Sequence, residues 1–239
     1  MTRILKALGL AISAIAAMAV AIAPAAQAET GVLTAQQYPA ILTGEQLGGV
    51  TWDIGEPPIH RVTCISNLDG TLIGPTDPVT FIPTYGNCLS DPAGTPTTVT
   101  TNGCDYTIGF TRPGTTGWNQ TTGSMQAWIN CPVGQQIEIH VYQNPVTHAE
   151  NVSTCTYDIG PQGPVPAGVY HNTFGGITDV ELTINAKFTA RSTIGAGGML
   201  CGGNPVTQHL PITLTGNYTL KGYQDFGGVE GAQIPVDVG

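Results

Sequence analysis

Apolar and polar residues alternate along much of the chain, most clearly between residues 180 and 190. The even-numbered positions of this segment are apolar, whereas its odd-numbered positions are Glu, Thr, Asn and Lys. This period of two is typical of an antiparallel strand with one buried face. Segments 210–220 and 137–142 alternate in a similar way. The pattern therefore predicts strands with inward even-numbered residues at 180–190 and 210–220, and a further strand at 137–142.

Turn and breaker residues favour many short strands over helices. The chain contains 32 Gly and 18 Pro, and its many Thr and Val residues lose χ1 freedom in helices. Within residues 61–73, the sequence Asn-Leu-Asp-Gly at 67–70 predicts a hairpin turn, because Asp-Gly tolerates a positive φ. The predicted fold class is all-β, with one or more antiparallel β-sandwich or barrel-like domains.

The N-terminus has the order of a secretory signal. A short basic segment containing Arg3 and Lys6 precedes an Ala-rich apolar run, and Ala26-Gln27-Ala28 stands directly before Glu29. Small residues at the −3 and −1 positions predict cleavage after Ala28. We therefore expect residues 1–28 to be a cleaved signal peptide. Residues 29–239 would then be a secreted, extracellular β-rich region with no membrane span after cleavage.

Loss of the leader makes the chain more acidic. Removal of Arg3 and Lys6 changes the formal charge from −9 to −11, because the leader contains no acidic residue. The mature chain keeps five basic residues: Arg61, Arg112, Lys187, Arg191 and Lys221. Nucleic-acid binding needs clustered Lys and Arg, so nucleic acid is excluded as a partner. The same scarcity argues against binding to anionic lipid surfaces.

One hexapeptide pattern, Cys-x-Tyr-x-Ile-Gly, occurs at 104–109 and again at 155–160. In a strand, its Cys, Tyr and Ile would share one face, and we expect the Gly to end the strand. A Gly-rich stretch and a return strand with an Ile-Asn pair follow each copy. The similarity indicates one hairpin unit used twice, at 88–130 and 131–190, in a single domain or two closely packed β subdomains. Chance similarity in a Thr/Gly-rich background is the alternative.

Six cysteines in an exported chain predict disulfide bonds. If equivalent hairpin units use equivalent bridges, two of the pairs are Cys88–Cys104 and Cys131–Cys155. Elimination then leaves Cys64–Cys201. The thiols are scattered and no Cys-x-x-Cys occurs, which argues against a zinc site.

The most site-like stretch lies between residues 138 and 148. Glu138, His140 and Tyr142 alternate with apolar residues, and a following turn can bring His148 back towards them. Two imidazoles and a carboxylate can bind a divalent metal. These four residues are therefore the predicted binding residues, and solvated strand residues are the alternative.

No known catalytic motif is present. The chain lacks a Gly-x-Ser-x-Gly elbow, a His-Glu-x-x-His sequence, a Walker loop and an EF-hand loop, so we predict no catalytic residue and no cofactor. A glycosidase would need two carboxyl groups about 5 to 10 Å apart. The candidate carboxylates are Asp53, Glu56, Asp105, Glu138, Asp158, Asp179, Glu181 and Asp225. Core packing is the default expectation for the larger aromatic residues, and a sugar-stacking platform is the alternative. These residues are Trp52, Trp118, Trp128, Tyr170, Tyr218 and Tyr223.

Three stretches carry a resemblance: TAQQYPAILTGEQ, NGCDYTIGF and CPVGQQIEIHVYQNPVTHAENVSTCTYDIGPQ. They resemble a group of secreted, Thr/Gly-rich, Cys-containing proteins from actinobacteria. The resemblance covers most of the mature chain and implies an extracellular location, but it brings no activity. We expect a non-enzymatic β protein with a binding or structural role towards an extracellular ligand, glycan or protein. The alternative is a secreted hydrolase acting on a glycan, which needs a cleft with converging carboxylates or histidines.

Overall fold

The computed structural model describes residues 29–74, 79–91, 95–112, 122–142, 153–173, 177–194, 206–225 and 230–238. Strands dominate these ranges, which contain no helix, and the predicted all-β class is confirmed. No helix among these residues is therefore long and apolar enough to cross a membrane. The strands are β1 (Glu29–Gly31), β2 (Leu33–Ala35), β3 (Ala40–Gln46), β4 (Val50–Ile54), β5 (His60–Leu72), β6 (Val79–Asp91), β7 (Thr95–Thr100), β8 (Asp105–Arg112), β9 (Thr122–Asn130), β10 (Ile137–Tyr142), β11 (Ser153–Ile159), β12 (Gln162–Thr173), β13 (Asp179–Ile194), β14 (Val206–Asp225), β15 (Glu230–Ile234) and β16 (Val236–Val238).

Antiparallel pairing joins the strands into two closed circuits. The first circuit runs β8–β9–β12–β13–β14–β3–β5–β6 and returns to β8. The second circuit runs β13–β11–β10–β7–β6–β5–β4–β14 and returns to β13. Both circuits use the long strands β5, β6, β13 and β14. The molecule therefore contains two barrel-like circuits that share four strands, and each circuit closes around its own interior.

The predicted alternation of strands β13 and β14 is confirmed. Val180, Leu182, Ala186, Phe188 and Ala190 are buried, and the odd-numbered residues between them are exposed. On β14, Leu210, Ile212, Leu214, Tyr218 and Leu220 are buried. Because β13 keeps one phase from Val180 to Ser192 and β14 keeps one phase from Leu210 to Leu220, the same face of each strand lines both interiors.

Strand β6 changes phase at a bulge. Its odd-numbered residues point inward as far as Tyr85, whereas Cys88 and Ser90 are the buried residues beyond it. The register with β5 shifts by one residue between Thr63 and Ile65. Asn87 takes up the extra residue with a φ of 49°. Such bulges insert one residue into one strand of a pair, and here the bulge marks the point where β6 passes between circuits.

The predicted hairpin turn at residues 67–70 is wrong. These residues lie inside β5, which continues from His60 to Leu72. A Cβ on Gly70 would lie 2.9 Å from the backbone oxygen of Thr80 and 3.0 Å from the Phe81 ring. The glycine therefore allows β5 to approach β6 closely. An Asp-Gly pair looks the same in sequence whether its glycine lies in a turn or at a close strand approach.

The two Cys-x-Tyr-x-Ile-Gly copies occupy one strand in each circuit. Cys104, Tyr106 and Ile108 are buried around β8, and the equivalent residues 155, 157 and 159 are buried on β11, so the predicted shared face is confirmed. Strand β8 pairs with the return strand β9. Strand β11 pairs instead with residues 191–194 of β13, and the predicted Gly-rich turn of the second copy belongs to β12. Similar sequences therefore make different pairings.

The predicted disulfide pairs Cys88–Cys104, Cys131–Cys155 and Cys64–Cys201 are wrong, because the bonds are Cys64–Cys88 and Cys104–Cys131. Cys64 and Cys88 point inward from neighbouring strands at the β6 bulge. Cys104 and Cys131 flank the β8–β9 hairpin, whose pairing brings them together. Cys155 is also disulfide-bonded, and Cys201 lies outside the described residues. The equivalence of the two hairpin units misled the prediction, since the bridges follow strand pairing.

A small second sheet of β2 and β16 packs over one end of the first circuit. Buried Asn172 on β12 holds the C-terminal strand by two hydrogen bonds to the Val238 backbone. Its Nδ2 donates to the Val238 oxygen at 3.1 Å, and its Oδ1 accepts from the Val238 nitrogen at 3.0 Å. Leu33, Val236 and Val238 are buried beneath this sheet, which thereby caps the first interior.

Candidate functional site

A cleft opens where β13 passes from the first circuit to the second. Strand β12 pairs with β13 as far as Ile184, and β11 begins to pair with it at Arg191. Residues 185–190 of β13 therefore have β14 on one side and, among the described strands, no paired strand on the other. The cleft at this gap has a volume of about 320 Å³. We call it the junction cleft; its lining residues are Gln136, Asp158, Gly160, Thr189, Ala190, Arg191 and His209.

The side chain of Gln162 takes the place of the missing strand. Its Nε2 donates to the Thr189 oxygen at 2.9 Å, and its Oε1 accepts from the Thr189 nitrogen at 2.8 Å. The same Nε2 donates to the Gly160 oxygen at 3.2 Å. A primary amide offers a donor and an acceptor, as a peptide group does, so it satisfies the exposed backbone of β13. Gln162 thereby ties together Gly160 and Thr189, two walls of the junction cleft.

A second bulge places His209 in the cleft wall. The register of β13 with β14 shifts between Ala190 and Ser192. His209 takes up the extra residue with a φ of 63°, a conformation that is uncommon for residues other than glycine. Bulges re-aim side chains and occur often beside binding sites. Here the bulge directs His209 into the junction cleft together with Arg191.

Three charged residues form a row across neighbouring strands. Glu138 on β10 lies opposite Asp158 on β11, and Asp158 lies opposite Arg191 on β13. Burial is the main cause that raises the pKa of Asp158, and the negative charge of Glu138 raises it further. The charges of Arg191 and His140 and a hydrogen bond from Gln136 oppose this shift. The Asp158 carboxyl is therefore held in the cleft at a cost that its surroundings only partly offset.

Arg191 differs from the other basic side chains that the structure describes. Arg61 pairs with Asp53, Lys187 with Glu56 and Lys221 with Glu45, at 2.6, 2.7 and 2.6 Å. Within the described residues, no carboxylate oxygen lies within 4.0 Å of an Arg191 nitrogen. Its guanidinium therefore remains available to a ligand, and this group is suited to charge-assisted hydrogen bonds.

The predicted residues Glu138, His140 and Tyr142 share the outward face of β10. His140 Nε2 lies 3.1 Å from Glu138 Oε2, and its Nδ1 lies 3.2 Å from Thr156 Oγ1. The rings of His140 and Tyr142 stack with centroids 6.5 Å apart. His148 lies outside the described residues. The described part of the chain contains no group of three His, Cys, Asp or Glu that could hold a metal.

Core packing, the default expectation for the six aromatic residues, is confirmed for three of them, which the alternative sugar-stacking platform therefore loses. Trp52, Tyr170 and Tyr218 are at most 2% exposed, so their rings belong to the core. Trp128 and Tyr223 are partly exposed, and Trp118 lies outside the described residues.

Sequence reasoning also missed Gln136, Gln162, Arg191 and His209. Asp158 appeared only as one of eight candidate carboxylates. Neither the gap along β13 nor the bulge at His209 leaves a signal in the local hydrophobic pattern, because both arise from pairing between distant strands.

No protein-family model matches the chain, and neither a curated protein nor a solved structure matches it significantly. The function is therefore inferred from the geometry of the junction cleft.

Proposed function

We propose that the protein is a secreted, non-enzymatic binding protein whose junction cleft takes a hydroxyl-rich ligand such as a segment of an extracellular glycan. The observation that carries this proposal is the pair of Asp158 and Arg191, opposed on neighbouring strands in a polar cleft. The cleft is formed by two interruptions of regular pairing, the gap along β13 and the bulge at His209. Irregular pairing of this kind is retained where it positions a side chain.

The polar groups of the cleft favour an uncharged ligand with several hydroxyls. Arg191 donates hydrogen bonds, Asp158 accepts them, and Gln136 and His209 can each do both. A hydroxyl also donates and accepts, so adjacent hydroxyls match this mixed lining. A purely anionic ligand would meet the carboxyl group of Asp158 and a purely cationic one the guanidinium of Arg191, so neither matches the whole lining. A neutral polyol or sugar meets neither penalty.

The disulfides support an extracellular setting. The described part of the chain contains the bonds Cys64–Cys88 and Cys104–Cys131, and disulfides persist in oxidising compartments. The predicted signal at residues 1–28 agrees with this setting. An exported binding protein that has no membrane-crossing helix in its described residues would meet its ligand outside the cell or at the cell surface.

The proposal is tested with a panel of soluble neutral, amino-sugar and uronic-acid oligosaccharides and the mature chain, residues 29–239. We expect at least one neutral oligosaccharide to bind in calorimetric titration, and Asp158→Asn and Arg191→Ala each to weaken binding at least about tenfold. Loss of one good polar contact is worth roughly this factor. Arg61→Ala is the control, because Arg61 lies outside the cleft and pairs with Asp53. Absence of binding to the whole panel, or equal affinities of all variants, would overturn the proposal.

A glycan hydrolase is the second candidate, because Glu138 and Asp158 are directly opposed. Opposed residues have Cβ atoms about 4.5–5.5 Å apart, a spacing compatible with the carboxyl pair of a retaining glycosidase. The raised pKa of Asp158 suits a general acid. Release of reducing ends that stops in both Glu138→Gln and Asp158→Asn would favour hydrolysis. Binding without turnover favours the leading proposal.

A further inference from the structure

A separate group of polar atoms faces the interior of the second circuit. Trp52 Nε1, His60 Nδ1 and Tyr157 OH are buried, and none has a hydrogen-bond partner among the described residues. The side chains of Trp52 and Tyr157 are fully buried. Roughly 90% or more of buried polar groups in native structures have a protein or water partner. Three such atoms in one interior therefore point to a bound molecule that completes their hydrogen bonds.

The three side chains come from strands that enclose the same space. On the β4–β5 pair, Trp52 lies opposite Val62, and Ile54 lies opposite His60. Trp52 and His60 are therefore diagonal neighbours, and Tyr157 approaches from β11 with its ring centroid 6.0 Å from that of His60. This space is distinct from the junction cleft, whose lining belongs to the outer side of the sheet and the gap along β13.

Other hydroxyl groups line the same interior. Ser90 on β6, Thr97 on β7 and Ser192 on β13 are all buried. Their strands all belong to the second circuit, and the alternation of each strand turns these residues inward. The interior of the second circuit is therefore partly polar, and a buried water needs polar partners of this kind.

We propose that Trp52, His60 and Tyr157 bind one or more ordered water molecules inside the second circuit. A water accepts from the Trp52 indole N–H, donates to His60 Nδ1 and bonds the Tyr157 hydroxyl in either sense. Buried waters commonly make two to four such bonds.

The ionisation of His60 agrees with this role. Burial lowers the pKa of His60, so the imidazole is neutral at neutral pH. A neutral imidazole can accept a hydrogen bond at Nδ1 when its Nε2 carries the proton.

The direct test is a water-to-protein Overhauser measurement on the ¹⁵N-labelled mature chain. The chain has three tryptophans, and loss of one indole signal in Trp52→Phe assigns the Trp52 N–H. We expect a cross-peak between that N–H and a long-lived water in the wild type, and its weakening or loss in Tyr157→Phe. Absence of the cross-peak in the wild type would overturn the proposal.

Thermal melts provide a second readout with a matched control. Tyr157→Phe removes only a hydroxyl, and we expect it to lower Tm by a few degrees if that hydroxyl holds a water. An unchanged or higher Tm would contradict a bound water at this atom. The control is Tyr106→Phe, because the Tyr106 hydroxyl bonds that of Tyr85 at 2.9 Å. This control should lower Tm and leave the Trp52 water signal intact.

Discussion

The two circuits share four strands but treat buried polar groups differently. In the first circuit, the hydroxyls of Tyr85 and Tyr106 share a hydrogen bond of 2.9 Å, and Tyr218 donates to Ser66 at 2.9 Å. In the second circuit, Trp52 and Tyr157 have buried polar atoms without a partner among the described residues. Shared strands thus fix the pairing but not the polarity of each interior. In the first interior these tyrosine hydroxyls bond to other side chains, whereas in the second interior we propose that a bound molecule is the partner.

The first interior also contains a small apolar cavity. It has a volume of about 20 Å³, the size of one water, and its lining includes Ala127, Ala167 and Ala186. Burial raises the pKa of Tyr218 to about 12 and that of Tyr106 further, so both hydroxyls stay protonated. Enclosed apolar cavities remain dry. The contrast is therefore between an apolar cavity whose neighbouring hydroxyls, on Tyr85, Tyr106 and Tyr218, are paired, and a partly polar interior in which we propose bound water.

Removal of a disulfide should have the largest effect on the two circuits. Cys64–Cys88 joins the shared strands β5 and β6 across 24 residues, whereas Cys104–Cys131 closes the β8–β9 hairpin of the first circuit across 27. We expect each Cys→Ser double variant to lose about 3.5 kcal/mol of unfolding free energy in urea titrations. Hydrogen exchange should show both circuits loosened by loss of Cys64–Cys88 and mainly the first by loss of Cys104–Cys131. Identical exchange patterns in the two variants would contradict the expectation that Cys64–Cys88 stabilises both circuits and Cys104–Cys131 mainly the first.

Tyr218→Phe should have the next largest effect, because it leaves the Ser66 hydroxyl unpaired in the first interior. Both residues are at most 2% exposed, and an unsatisfied buried group costs about 1–3 kcal/mol. Denaturant titration measures the loss. The double variant Tyr218→Phe with Ser66→Ala should recover part of the lost stability, since no buried hydroxyl of this pair is then left without a partner. Failure to recover would show that the tyrosine hydroxyl has another role.

A smaller effect is expected in the pH dependence of the second circuit. Burial lowers the pKa of His60 below its model-peptide value of 6.5, so the unfolded chain binds this proton more readily than the folded one. The contribution of neutral His60 to the free energy of unfolding is therefore complete above pH 6.5. It is lost as the pH falls towards the lowered pKa of His60 in the folded chain. Unfolding free energies of wild type and His60→Gln, measured from pH 7.5 to pH 5, should converge as the pH falls. Parallel profiles would contradict a buried neutral His60.

The strand faces could be predicted from the sequence, because burial imposes a period of two on each strand. The alternation around Leu182 and Leu214 and the shared face of Cys104 and Tyr106 were correct for this reason. Pairing partners could not be predicted, since Gly70 gives the same local signal in a turn and in a close strand approach. The disulfide prediction failed for the same reason, because the bonds depend on which strands become neighbours.

The site could be predicted only in part. Glu138 and His140 were placed correctly on one face, because a single strand decides that relation. Asp158, Arg191 and His209 come together from three strands, at a gap and a bulge that no local pattern reveals. A cleft of this kind depends on long-range register, which a single sequence does not encode in any one segment.

The smallest expected effect comes from a matched pair of substitutions in the first interior, at Ala186 beside the apolar cavity. Ala186→Val adds apolar volume to a space that is already open, and cavity filling typically gains about 0.5 kcal/mol or somewhat more. Ala186→Thr has nearly the same shape but adds a hydroxyl, and burying one without a partner costs about 1–3 kcal/mol on mutational scales. Denaturant titrations should therefore rank the valine variant above wild type and the threonine variant below it. Equal stability of the two variants would mean that the threonine hydroxyl finds a water. The first interior would then be hydrated like the second, and the contrast between the circuits would fail.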